Sequence, residues 1–121
     1  MALLGFQKWK ADKVVRGECR QTIRARRAHP VKVGDWLILA TGVRTKNYRR
    51  IADTVCTEAF PIQAASAPHG NGYMWLDITR KQLNDLAMRD GFESASDMTE
   101  WFAKNYPIKD GDVITFDVIR W

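Results

Sequence analysis

The run Gly17-Glu18-Cys19-Arg20-Gln21-Thr22-Ile23-Arg24 opens on a helix stop and leads into an arginine-rich segment. Gly17 ends a helical pattern over Lys8 to Arg16, which places Trp9, Ala11 or Asp12, and Val15 at helical offsets. Before that helix, Leu3 to Gln7 is a short apolar run suited to a strand. After it, Glu18 to Pro30 stays polar and closes on His29-Pro30, a pair that favours extended backbone. Val33-Gly34-Asp35 then predicts a turn into a buried strand over Trp36 to Thr41, stopped by Gly42.

Further out, β-branched content and weak alternation predict one strand over Ile51 to Phe60. Ala64 to Gly72 reads as a loop and Tyr73 to Asp77 as another strand. Thr79 can cap a helix carrying Leu83, Leu86 and Ala87, ended by Gly91. Ser96 can cap a second, with Met98, Trp101 and Phe102 inward, stopped near Pro107. Lys109 to Asp112 is a turn before a strand over Val113 to Trp121, where Ile114, Phe116 and Val118 share one face. Strands in mixed order with few helices give an α+β class built on a small curved sheet or barrel.

Composition narrows the function. A chain of 121 residues has room for a single domain, 1–121, and its five Trp, five Phe and three Tyr argue against disorder. Trp36 to Ala40 is far shorter than the ~20 apolar residues of a membrane span. Met1 to Phe6 lacks the charged start of a signal peptide, which predicts a cytoplasmic protein with Cys19 and Cys56 as free thiols. The two cysteines and two histidines have no ligand spacing, so neither metal nor cofactor is expected.

The charge is uneven. Residues 1–50 hold 13 basic and 3 acidic side chains, whereas residues 51–121 hold 6 basic and 11 acidic. A concentrated positive face suits a polyanion partner. Arg44, Lys46, Arg49 and Arg50 with Tyr48 among them fit a surface that tracks a phosphate backbone beside a stacking ring. Arg24 could clamp a phosphate or base edge, or pair internally with Asp35 or Asp53. The five tryptophans read as core, with Trp75 the candidate stacking platform. His29 and His69 read as loop histidines, either a possible general base. The acidic second half leaves a protein-adaptor reading open.

Residues 17–24 also carry a likeness. They resemble the G-x-K-x-x-T-I-R signature of the ASCH domain, a family with a PUA-like β-barrel associated with RNA or nucleoside chemistry. Lys32-Val33-Gly34-Asp35 before a hydrophobic strand, and the tail from Ala87 to Phe92 through Ile119-Arg120-Trp121, follow the family's order. Thr41 to Lys46 is similar to a T-G-x-R-T-K segment of family members, phage-encoded ones included. The resemblance implies a PUA-like fold and an RNA or modified-nucleoside partner, met by a basic cleft with Arg20, Arg24, Arg44, Lys46, Arg49 and Arg50. It implies a second possibility, a hydrolase of the ribonuclease kind or one that removes the acetyl group of N4-acetylcytidine. That chemistry uses a lysine, a threonine and an acid. Carried over, these positions fall on Cys19, Thr22 and Asp90. Cys19 departs from the family's lysine and Asp90 is one methylene shorter than its glutamate. Arg20 keeps its proton at neutral pH, so the reactive group would be a thiolate at Cys19, favoured by neighbouring arginines, or a lysine elsewhere in the chain.

Overall fold

A computed structural model describes residues 1–67 and 72–121. The class is α+β, with seven strands in two sheets and three helices among the described residues. The first sheet holds β1 (Ala2–Phe6), β3 (Trp36–Thr41) and β4 (Arg49–Val55) in the order β1-β3-β4. The second holds β2 (Gln21–Ala25), β5 (Glu58–Ser66), β6 (Tyr73–Leu76) and β7 (Val113–Arg120) in the order β2-β7-β5-β6. The helices are α1 (Lys8–Val15), α2 (Arg80–Arg89) and α3 (Ala95–Asn105). Among the described residues the strands form these two sheets and no single closed ring. No helix among the described residues is long and apolar enough to cross a membrane.

Each sheet builds its own core. Leu4, Phe6, Leu37 and Leu39 of the first pack with Ala11 and Val14 of α1 and with Cys19, Cys56 and Ile119. In the second, Ile23, Ile62, Phe116 and Val118 pack against Leu86 and Ala87 of α2 and Met98 and Phe102 of α3. Phe102 is its aromatic centre, with Trp101 at 4.9 Å and Phe116 at 5.0 Å between ring centroids. Phe116 and Val118 face this core as the alternation predicts, but Ile119 is buried too, in the other core. The far end of β7 is covered on both faces, which ends the alternation.

The extended run after Ile51 is two strands. β4 pairs with β3, and β5 pairs with β7 and β6. Cys56 and Thr57 carry the chain between sheets, their amides bonded to Asp35 O and Arg120 O, both at 2.8 Å. Strand propensity continues straight through this change of partner, so the sequence hides it. β5 also runs on to Ser66, inside the stretch read as a loop, because β6 pairs with Gln63 to Ser66. Thr79 caps α2 through a full capping box with Gln82. α3 begins earlier than expected: Ser94, not Ser96, accepts from the Asp97 amide.

The tryptophans divide: Trp75, Trp101 and Trp121 pack against the two cores as expected, whereas Trp9 and Trp36 do not lie in them. Trp9 and Trp36 are 40% and 46% exposed, and Trp75, Trp101 and Trp121 are half-buried. Trp75 lies edge-on to Phe102 and donates its indole N–H to Thr99 Oγ1 at 2.9 Å, so it is an internal packing group and not a stacking platform. His29 is exposed, and His69 lies outside the described residues.

Candidate functional site

α1 follows β1 after one residue, and this tight connection sets its buried stripe. Lys10, Ala11 and Val14 face inward, while Trp9 and Val15 are more exposed; the sequence reading holds at Ala11 and fails at Trp9 and Val15. Lys10 is therefore a lysine on an apolar stripe, 7% exposed. Such a group needs a partner. It has one in Asp90, with Nζ to Oδ2 at 2.9 Å.

Asp90 is the C-cap of α2, and Gly91 turns the chain away with a φ of +93°. Its carboxylate is nearly fully buried at the negative end of a helix. Burial raises its pKa above the usual carboxylate range, although Lys10, Gln21 and Arg24 pull the other way. Gln21 Nε2 donates to Asp90 Oδ1 at 3.2 Å.

β2 adds Thr22 and Arg24, two residues apart and so on one face of the strand. Thr22 is buried; Arg24 donates Nε–H to its Oγ1 at 3.2 Å and an Nη2–H to Gly5 O. The Arg24 guanidinium lies 5.2 Å from the centroid of Phe6. Burial, helped by Arg27, lowers its pKa to about 10. Neither Asp35 nor Asp53 pairs with it, in contrast to the internal pair that the sequence leaves open; Asp53 pairs with Arg50 instead.

Lys10, Thr22, Arg24 and Asp90 line one cavity of about 170 Å³. Its walls are aromatic: Phe6, Trp9, Phe92, Trp101, Phe102 and Tyr106. Two cations and one carboxylate inside aromatic walls suit a flat, neutral or anionic ligand rich in acceptors.

Cys19 does not belong to this cavity. It is fully buried in the first core, where Gln21 O and Arg89 O each lie 3.3 Å from its Sγ and either can accept its one S–H. Burial pushes its pKa up, so the expected thiolate is disfavoured despite the nearby cations. Arg20 is exposed and lines a separate recess with Glu18, Arg89 and Trp121.

The basic segment is exposed, with Arg44 at a φ of +64°. The register places it near the cavity, because Phe6 pairs with Thr41 and Thr41 with Arg49. Residues 42–48 thus close the sheet at the same end as the cavity's Phe6 and Gln7, and a Cβ at Gly5 would meet Val43 at 2.8 Å. Gly42, with a φ of +60°, makes the tight turn there. Arg50 is occupied by Asp53.

A larger groove of about 820 Å³ runs beside α2 and β5. It contains none of the site residues expected from sequence. Of its cations, Arg26 pairs with Asp117 and Arg120 with Glu58. Comparison of the chain with protein-family models, curated proteins and solved structures found no match.

Proposed function

We propose that this chain is an ASCH-type, PUA-like domain that takes an acylated nucleoside, free or within RNA, and hydrolyses its amide. The observation that carries the reading is the buried Lys10–Asp90 pair in one aromatic cavity with Thr22. The resemblance asks for a lysine, a threonine and an acid, and Lys10 supplies from α1 what Cys19 lacks. The direct passage of the chain from β4 to β5 fits a curved, barrel-like arrangement, since corners form where strands switch sheets.

The chemistry follows from the groups present. Asp90, a carboxylate paired with the Lys10 ammonium, can act as the base, and Lys10 as the acid. Thr22 Oγ1 already accepts from Arg24, which favours loss of its own proton to Asp90 as Oγ1 bonds to the acyl carbon. The tetrahedral adduct collapses, the C–N bond breaks, and Lys10 protonates the leaving base nitrogen and regains its proton from Asp90. Water, deprotonated by Asp90, then adds to the Thr22 ester, and that proton passes to Thr22 Oγ1 as the acid leaves.

A second observation favours a substrate that carries phosphates. Arg44, Lys46 and Arg49 are exposed at the cavity's end of the sheet, where they would meet a strand backbone while one base enters the cavity.

The test is cytidine release from N4-acetylcytidine. The wild type is expected to turn over, with losses of at least about 100-fold in Lys10→Met, Thr22→Ala and Asp90→Asn. Cys19→Ala is expected to stay active. An inactive wild type, or loss of turnover confined to Cys19→Ala, overturns the reading.

A further inference from the structure

Asp90 is held through both of its oxygens, and only one of them by Lys10. Oδ1 accepts from Gln21 Nε2 at 3.2 Å. The same nitrogen donates to Leu86 O at 3.0 Å, so both amide protons of Gln21 are spent. Gln21 is 1% exposed, in a place where a polar side chain is costly unless fully bonded.

A primary amide can turn over and exchange its oxygen for its nitrogen. Turned over, Gln21 would set its oxygen against the Asp90 carboxylate and the Leu86 carbonyl. Arg120 prevents this. Its Nε donates to Gln21 Oε1 at 2.8 Å, and a turned amide would present N–H groups to a guanidinium. Arg120 is itself anchored, by Glu58 at 3.2 Å and over the Phe60 ring at 5.0 Å. A continuous chain of donors and acceptors thus runs from β7 through β2 to the α2 cap and on to α1.

We propose that Gln21 is a positioning residue for the Lys10–Asp90 pair, and that Arg120 fixes which end of its amide faces the acid. Its catalytic meaning rests on the hydrolase reading; its effect on Asp90 does not. An acceptor held by an N–H donor favours the ionised carboxylate, so Gln21 keeps Asp90 aimed at Lys10 as an acceptor. The other groups facing Asp90 are Lys10 from α1, Arg24 from β2 and the Cys19 thiol, with Lys13 close by on the Gly91 carbonyl at 2.8 Å.

Two measurements on the intact protein separate the proposal from the reading beneath it. The first follows the Asp90 carboxyl carbon by NMR against pH, assigned with Asp90→Asn. Gln21→Met is expected to move its titration upward by about one pH unit. Arg120→Met, which leaves Gln21 in place but frees its amide to turn, is expected to move it the same way, and it serves if Gln21→Met does not fold. An unmoved Asp90 titration in the folded variant overturns the proposal whatever the activity. The second follows N4-acetylcytidine hydrolysis, where the acid limb of kcat/KM is expected to rise by the same amount with little change in KM. An inactive wild type overturns the hydrolase reading alone. An active enzyme whose pH profile ignores Gln21→Met overturns the positioning role.

Discussion

Replacing Lys10 by Met keeps the length of the side chain and removes the charge that answers Asp90. The carboxyl then has Gln21 Nε2 at 3.2 Å as its remaining direct hydrogen-bond donor, and its burial leaves it little solvation. The folded variant must leave a lone buried carboxylate or protonate it. Protonating at pH 7 a group that titrates near 3.9 in the unfolded chain costs about 4 kcal/mol. That agrees with the ~3–5 kcal/mol typical of breaking a buried pair from one side. Asp90 has a raised pKa already, and the substitution raises it further. A carboxyl raised on folding contributes stability from its bound proton that is complete below the unfolded value and lost as pH rises through the folded one. The penalty of Lys10→Met therefore shrinks to about 1.5 kcal/mol near pH 5 and grows toward neutrality. Urea titrations of wild type and variant between about pH 5 and 8 read this directly. Adding Asp90→Asn should remove the pH dependence and recover much of the loss. A penalty below about 1 kcal/mol, or one flat with pH, would mean that solvent screens the pair and that Asp90 does not depend on Lys10.

Phe116→Ala should cost about 3–5 kcal/mol, because the ring is fully buried among Phe102, Tyr106 and Trp75, whereas Thr115→Ala at the half-buried neighbouring position should cost much less by denaturant titration. Joint replacement of Arg44 and Arg49 by Ala should weaken retention on single-stranded RNA and flatten its salt dependence by roughly one unit for each phosphate no longer neutralised. Arg50→Ala should do less, since its guanidinium is spent on Asp53. Cys19 should resist iodoacetamide in the native protein at neutral pH and react once urea unfolds it, because burial holds it as a thiol; alkylation at the rate of a free thiol would contradict its place in the core.

Much of the fold is written locally, and what is local is legible. Gly17 and Gly91 mark helix ends, Thr79 caps α2, and β7 alternates until both its faces are covered. The split of residues 51–60 between two sheets is not legible, because β-branched residues serve either partner and only pairing distinguishes them. For the site, Thr22 and Asp90 fall in the cavity while Cys19 falls in the core beside it. Lys10 escapes a reading that sets the helix face on Trp9 and Val15. The offsets of Lys10, Ala11 and Val14 carry the signal, a lysine in an apolar stripe. The aromatic wall draws on β1, α1, the loop after α2, and α3, a convergence that no spacing along the chain encodes.

The central place of β7 bears on how the protein comes to be made. It lies between β2 and β5, and its Arg120 meets Gln21 across 99 positions of sequence. While the chain leaves the ribosome, β2 and β5 must each wait for a strand translated after both of them. Until then each keeps an open edge capable of pairing wrongly. Contacts this distant are slow to form. The order of synthesis therefore leaves the nascent chain exposed for longer than its size alone suggests, and a cell that makes it in quantity would lean on chaperones that shield unpaired strands.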